Sequence, residues 1–125
     1  MENREQLINQ YITAYNNFDI DGMLASLDAN IQFENISDGV VNMTLNGLSA
    51  FKAQAEQAMN IFSSRQQTVT QFKHSPVQTE VDIAYHAVLA ADQPNGMKRG
   101  DELNLNGKSV FKFSNDKIVG ITDIS

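Results

Sequence analysis

Residues 100–125 read GDELNLNGKSVFKFSNDKIVGITDIS and predict two antiparallel strands joined by a tight turn at positions 114–116. In the first strand the two parities differ in character, with Leu103, Leu105, Ser109, Phe111 and Phe113 on one side and Glu102, Asn104, Asn106, Lys108 and Lys112 on the other. This alternation is typical of a sheet that has one apolar face and one polar face. Because an apolar face has to be covered, the chain upstream of residue 100 must supply a covering layer.

The N-terminal half supplies that layer as amphipathic helices, predicted over residues 3–18, over a short stretch that Asp19 caps, and over residues 48–62. The remaining segments alternate with a period of two, which predicts further strands at residues 30–36, 66–74 and 77–91. The expected fold is therefore α+β. A single domain of residues 1–125 would pack three N-terminal helices on one face of a curved antiparallel sheet.

The composition excludes several classes of function. The chain of 125 residues carries a net charge of −6, which argues against nucleic acid or an anionic membrane surface as a partner. It contains no cysteine, so disulfides and thiolate chemistry are excluded. With two histidines and no glycine-rich phosphate loop, we expect neither a metal nor another cofactor. No secretion signal or membrane span is visible, which predicts a cytoplasmic protein.

Two polar residues stand where the alternation predicts inward-facing side chains. Asn35 continues the apolar face of Ile31 and Phe33, and a buried amide needs hydrogen-bonding partners or a wet cavity. Asp123 shares the parity of Ile121, and a carboxylate in an apolar interior has a raised pKa, as suits a general acid or base. Two alternatives stay open: Asn35 belongs to a satisfied interior network, and Asp123 is exposed near the C-terminus.

Short motifs along the whole chain carry a resemblance to a known superfamily. They are Tyr11-Ile12, Asp19-Ile20-Asp21, the strand entry at residues 28–35, Asn46-Gly47, and residues 109–113 followed by Lys117-Ile118. In this order they resemble the NTF2-like superfamily, which includes ketosteroid isomerases and SnoaL-like polyketide cyclases. The resemblance implies a cone-shaped α+β fold, a pocket for a small apolar molecule and a homodimer formed through the sheet.

The resemblance also implies roles for three residues. Tyr11 matches the tyrosine that donates a hydrogen bond to the developing oxyanion in ketosteroid isomerases. Asn35 occupies the position of the aspartate base, and Ser109 occupies the position of a protonated aspartic acid. An amide cannot abstract a proton near neutral pH. Asp123 is therefore the candidate for proton transfer, and Tyr11 and Asn35 are the groups that would polarise a carbonyl.

Three functions stay open at this point. The first is a cofactor-free isomerase, cyclase, dehydratase or hydrolase that acts on a small, mostly apolar, oxygenated molecule. The second is a module that binds such a molecule without turning it over, which the asparagine at position 35 favours. The third is a scaffold that dimerises through the sheet. The residues expected to contact a ligand are Tyr11, Tyr15, Phe33, Asn35, Phe51, Met59, Phe62, Tyr85, Ser109 and Phe111.

Overall fold

The computed structural model describes residues 2–125. This part of the chain folds into α1 (Glu2–Asn16), α2 (Ile20–Ala25), β1 (Leu27–Ser37), β2 (Val40–Asn46), α3 (Leu48–Ala58), β3 (Phe62–His74), β4 (Gln78–Leu89), β5 (Glu102–Ser114) and β6 (Lys117–Ile124). None of the helices within residues 2–125 has the length and apolar character needed to cross a membrane.

The strands form one open sheet in the order β2-β1-β6-β5-β4-β3. Neighbouring strands run antiparallel except β1 and β6, which run parallel. Register shifts in the β1–β2, β3–β4 and β5–β6 pairs mark irregularities of the bulge type, which bend strands and curve a sheet. The α+β class is therefore confirmed, and the sheet is mostly rather than wholly antiparallel.

The expectation of three N-terminal helices is inexact. α1 and α2 precede the sheet, but α3 follows β1 and β2. α3 also ends at Ala58, with Met59 as its C-cap, rather than at residue 62. Phe62 fits the helical spacing, yet it pairs with Leu89 across the sheet, so that strand pairing replaces the last turn of the predicted helix.

Two local predictions are confirmed. The turn between β5 and β6 places Asn115 and Asp116 at positive φ, 52° and 63°, as a two-residue hairpin loop of type I′ requires. Asp19 caps α2, because its Oδ1 accepts a hydrogen bond of 3.0 Å from the backbone N–H of Gly22. Both features depend on interactions between residues close in sequence, which is why they are visible without the tertiary structure.

The core lies between the helices and the inner face of the sheet. α1 contributes Ile8 and Ile12, and the sheet contributes Val81, Phe111 and Ile121, all of them at most 5% exposed. Burial of an aliphatic or aromatic side chain of this size stabilises a fold by about 1.5–3 kcal/mol. This packing holds α1 against the strands that carry the polar residues of the interior.

Strands β5 and β6 approach each other so closely at Gly107 that the site has no room for a side chain. A Cβ on Gly107 would lie 2.7 Å from the backbone oxygen of Ile124, whereas a Cβ on Gly120 would meet Lys112 at 3.4 Å. We expect Gly107→Ala to lower the free energy of unfolding by about 1–3 kcal/mol, because the backbone must shift to accept the methyl group. Gly120→Ala is the matched control, and we expect it to change the free energy of unfolding by less than about 1 kcal/mol.

Urea denaturation of both variants measures this difference. Equal losses of stability in the two variants would contradict the close approach of the strands at Gly107.

Candidate functional site

A cavity of about 360 Å³ lies between the helices and the inner face of the sheet. It is mainly apolar, with walls formed by Met23, Phe33, Met43, Leu45, Phe51, Ala55, Ala58, Ile61 and Phe62. The polar residues of the lining are Tyr11, Tyr15, Asn35, Gln54, Arg65 and Asp123. A few polar groups in a mainly apolar cavity are typical of sites that orient a small molecule. We refer to this space as the main cavity.

Asp123 stands in a row of polar side chains that crosses three neighbouring strands. β6 lies between β1 and β5, and its Asp123 pairs with Asn35 on one side and with Ser109 on the other. Ser109 Oγ donates a hydrogen bond of 2.6 Å to Asp123 Oδ1. Two of the three residues that the resemblance singles out therefore flank the carboxylate in the sheet.

The surroundings of Asp123 favour its neutral form. Burial raises the pKa of the Asp123 carboxyl from its ordinary 3.8 to about 6, and the hydrogen bond from Ser109 opposes part of that rise. Asp123 still lines the main cavity, where a ligand would reach it. A carboxyl that titrates near pH 6 takes up and releases a proton readily at neutral pH, as a general acid or base must do.

Tyr11 lines the same cavity and is held between aromatic rings. Its ring centroid lies 6.3 Å from that of Phe51 and 6.1 Å from that of Phe111. Burial raises the pKa of the Tyr11 hydroxyl well above its ordinary value, and the charge of Asp123 raises it further. Tyr11 therefore keeps its proton across the physiological range and is available as a hydrogen-bond donor.

A second, smaller cavity of about 200 Å³ adjoins the first. Tyr15, Asn35 and Asp123 line both spaces, whereas Tyr85 and Ser109 line only the smaller one. The hydroxyls of Tyr15 and Tyr85 are hydrogen-bonded to each other at 2.9 Å. Burial raises the pKa of both tyrosines, so this pair also stays protonated. Asp123 therefore lines two adjoining cavities.

Arg65 is one of the residues of the main cavity that the sequence patterns do not indicate, and Gln54 of α3 is another. Arg65 is missed because it precedes the strand predicted from residue 66. It nevertheless shares the parity of Gln67 and Val69, and that parity would indicate an inward-facing side chain. Arg65 is only 5% exposed. Its Nε donates a hydrogen bond of 2.8 Å to the backbone oxygen of Tyr15.

The guanidinium of Arg65 is fixed by aromatic contacts but is not fully paired. It lies 3.8 Å from the ring centroid of Tyr15 and 4.4 Å from that of Phe18. Its Nη2 atom is buried and makes no hydrogen bond to any group of residues 2–125. An unpaired nitrogen on a buried cation is costly, and such groups are rare in folded proteins.

Asn35 has its amide nitrogen engaged by neighbouring side chains. Its Nδ2 donates a hydrogen bond of 2.8 Å to Asn42 Oδ1 and a longer one of 3.4 Å to Ser37 Oγ. Within an amide side chain, only the N–H groups can polarise a carbonyl by hydrogen bonding, because the amide oxygen is an acceptor. The Asn35 donor is therefore largely occupied by β1 and β2, and Tyr11 is the better placed donor of the two.

Some predicted contact residues lie away from the main cavity. Phe111 is 1% exposed and packs in the core against Tyr11, so it supports the cavity without lining it. Met59 is 39% exposed at the end of α3 and is also absent from the lining. The histidines pair with carboxylates, His74 with Glu5 and His86 with Glu102.

No cluster of three or more metal-ligating side chains occurs within residues 2–125. The polar lining of the main cavity instead consists of hydroxyl, amide, guanidinium and carboxyl groups. These groups bind and orient oxygenated organic molecules by hydrogen bonding.

Comparison with known families places these features in context. The sequence profile of the SnoaL-like domain matches residues 8–121, which is nearly the whole chain. A search of curated proteins with the sequence of this chain finds no match. The matched range contains Tyr11, Asn35, Arg65 and Ser109 and ends two residues before Asp123.

Solved structures similar to this chain share its fold. A candidate polyketide cyclase from Xanthomonas campestris pv. campestris is 19% identical, with a TM-score of 0.83 and coverage of 99% of this chain and 90% of that chain. TerC, co-crystallised with polyporic acid, is 13% identical, with a TM-score of 0.79 and coverage of 98% and 90%.

A hypothetical protein with a ketosteroid isomerase-like fold from Catenulispora acidiphila, in complex with trimethylamine, is 8% identical, with a TM-score of 0.75 and coverage of 94% and 82%. At such identities the likeness is one of fold alone. Together with the profile match, it confirms the resemblance to the NTF2-like superfamily.

The raised pKa of Asp123 predicts a pH-dependent stability. The folded protein binds more protons than the unfolded chain between about pH 3.8 and pH 6, so the free energy of unfolding falls as pH rises through that interval. We expect Asp123→Asn to remove this fall. The unfolding free energy of the variant minus that of the wild type should therefore rise by about 3 kcal/mol from pH 3.5 to pH 7.

Chemical denaturation of both proteins at a series of pH values measures the gain. If the difference in unfolding free energy between the two proteins stays constant from pH 3.5 to pH 7, the carboxyl of Asp123 is not desolvated as described.

Proposed function

The chain belongs to the SnoaL-like domain family. We propose that it binds a small, mostly apolar, oxygenated molecule in the main cavity. We propose further that it catalyses a proton transfer within that molecule without a cofactor. The observation that carries this proposal is the half-buried carboxyl of Asp123, whose pKa is raised to about 6 and which lines the same cavity as Tyr11. A base and an oxyanion donor facing one apolar space are the two groups that enolisation requires.

The dimensions and lining of the cavity support a ligand of this class. A volume of about 360 Å³ falls in the range of roughly 300–1,000 Å³ that is usual for small-molecule sites. Aromatic walls such as Phe33, Phe51 and Phe62 suit a flat or ring-shaped skeleton. Two of the similar structures support the same class of ligand, since one is a candidate polyketide cyclase and the other was co-crystallised with polyporic acid.

The proposed chemistry is a proton transfer next to a carbonyl group. The Asp123 carboxylate takes the proton from the carbon beside the carbonyl, and the electron pair of that C–H bond moves onto the carbonyl oxygen to form an enolate. The Tyr11 hydroxyl donates a hydrogen bond to that oxygen and stabilises its charge. Return of the proton from Asp123 to another carbon of the conjugated enolate completes an isomerisation. Attack of the enolate carbon on a second carbonyl forms a C–C bond and an alkoxide, and transfer of the proton from Asp123 to that alkoxide completes a cyclisation.

We assign the donor role to Tyr11 rather than to Asn35. The amide nitrogen of Asn35 is already bonded to Asn42 at 2.8 Å, so polarising a ligand would require it to give up that bond. Asn35 instead offers an acceptor oxygen, which would orient a hydroxyl group of the ligand.

Binding without turnover is the second candidate. The asparagine at the position that corresponds to the base of ketosteroid isomerases favours it, because that base cannot be supplied by an amide. Under this alternative Asp123 would act as an acceptor for a ligand hydroxyl. The two candidates differ in one measurable property, which is exchange of carbon-bound protons in the bound molecule.

Proton exchange on 2-tetralone, an apolar bicyclic ketone, tests the proposal. We expect wild-type protein to accelerate deuterium incorporation beside the carbonyl in D2O, with a rate that rises through about pH 6 as Asp123 ionises. Asp123→Asn should lower the rate by about a hundredfold or more. Tyr11→Phe should lower it by about a hundredfold while leaving the pH profile in place. NMR spectroscopy follows the exchange.

Asp116→Asn is the matched control, because it makes the same change at an exposed carboxylate in the β5–β6 turn. Binding of 2-tetralone with no exchange above that of buffer would favour the binding module and overturn the enzymatic proposal.

We also propose that the outer face of the sheet forms the homodimer implied by the superfamily. This face carries the ion pairs Lys73–Asp82 at 3.6 Å and Lys108–Glu80 at 3.4 Å. The half-buried Val110 lies beside them in the sheet. An interface of this kind depends on charge, so its strength should fall with added salt.

Native mass spectrometry and sedimentation test the dimer. We expect Lys108→Glu, which places a third negative charge beside Glu80 and Asp82, to raise the dimer dissociation constant by about tenfold. Lys52→Glu on the exposed side of α3 is the control and should leave it unchanged. A monomer at every concentration would overturn this assembly and would leave the proposal for the main cavity intact.

A further inference from the structure

Resting on the proposed function, we propose that Arg65 binds an anionic oxygen of the ligand, so that the main cavity selects molecules bearing a carboxylate or an acidic enol. The inference starts from the unpaired Nη2 of this buried side chain. The inference restricts the proposed class of ligand from oxygenated molecules in general to those that are negatively charged at neutral pH.

A buried guanidinium requires a partner for its charge. Arginine stays protonated at every physiological pH, so Arg65 cannot avoid the cost of burial by losing its proton. Stacking on the rings of Tyr15 and Phe18 offsets part of this cost. The aromatic contacts do not neutralise the charge of the guanidinium, and an anionic oxygen of a ligand in the main cavity, which Arg65 lines, would do so.

The carboxylates described in residues 2–125 do not fill that role. The ion pairs found there involve Lys73, His74, His86 and Lys108, and none of them includes Arg65. Asp123 lines the same cavity, but its Oδ1 accepts the hydrogen bond of Ser109. The cavity therefore contains a carboxyl and a guanidinium that are not paired with each other.

The two groups act on the same two tyrosines with opposite sign. The charge of Asp123 raises the pKa of Tyr11 and of Tyr15, and the charge of Arg65 lowers the pKa of both. Both tyrosines are thus within the range of the two charges. A ligand that lies along Tyr11 would place its anionic oxygen toward Arg65 and its reacting carbon toward Asp123.

Arg65 is also held in position before any ligand arrives. Its Nε bond to the Tyr15 carbonyl and its contacts with two rings restrict the planar guanidinium to one orientation. A fixed fork of donors loses little conformational entropy when it binds a carboxylate or an enolate. A purely structural role at the end of α1 accounts for Nε, but it leaves Nη2 without a function.

Matched pairs of probes that differ in charge test this inference. 2-Naphthoate is compared with the neutral 2-naphthamide, and 2-hydroxy-1,4-naphthoquinone, an acidic enol, is compared with its methyl ether. We expect calorimetric titration of wild-type protein at pH 7.5 to show at least about tenfold tighter binding of the anion in one or both pairs. A preference in one pair alone identifies which of the two anion types the cavity takes.

Variants then assign the preference to a residue. Arg65→Gln should reduce it to about threefold or less, and Arg65→Lys should retain part of it, since the charge remains while the planar fork is lost. Lys52→Gln is the matched control, because it removes a positive charge from the exposed side of α3, outside the lining of both cavities, and it should leave the preference unchanged. Circular dichroism verifies that each variant is folded.

Several outcomes would overturn the inference. Equal binding of anion and neutral probe by wild-type protein does so without any variant, and it leaves the proposed function intact. A preference that survives Arg65→Gln, or that disappears in Lys52→Gln, shows that the anion preference does not come from Arg65. Failure of all four probes to bind would overturn the role of Arg65, and proton exchange on 2-tetralone then decides separately whether the proposed function fails with it.

Discussion

The insertion of β6 between β1 and β5 is the constraint on which the site depends. It makes the last strand of the chain an interior strand of the sheet, parallel to β1 and antiparallel to β5. The carboxyl of Asp123 is thereby held under the helices, between Asn35 and Ser109, and its hydrogen bond with Ser109 ties β5 to β6 at that level. A carboxylate on an edge strand would be hydrated, and its pKa would stay near the ordinary value.

The main cavity contains two groups that carry a charge, the carboxyl of Asp123 and the guanidinium of Arg65, and burial of a charge opposes folding. Asp123 is raised in pKa by loss of solvent, and Arg65 keeps an unpaired nitrogen. Filling the space with aliphatic side chains would be more stable, because buried charges seldom improve stability over well-packed apolar groups. Departures of this kind from the rules of stable packing concentrate at functional sites. These two unfavourable groups are the reason why the main cavity is proposed as a ligand site.

The residues that sequence patterns identify correctly are those whose signal is local. The period of two in β6 puts Asp123 on the face of Ile121, and the apolar spacing in α1 puts Tyr11 on the covered side of the helix. Errors arise where the same spacing fits two structures. Phe62 continues the stripe of α3 but belongs to β3, and the early start of β3 is what brings Arg65 inside. Phe111 has the parity of a cavity residue, yet the packing of Tyr11 over it places it in the core.

The sequence by itself determined the α+β class, the amphipathic helices, the β5–β6 turn and the faces of the strands, because each follows from side-chain periodicity or backbone preference over a few residues. The tertiary structure alone decided that β6 lies beside β1, that Arg65 and Asp123 share one cavity without pairing, and that the amide of Asn35 is occupied by Asn42. These facts join residues far apart in the chain, and they depend on strand order and on the space left after packing, neither of which periodicity encodes.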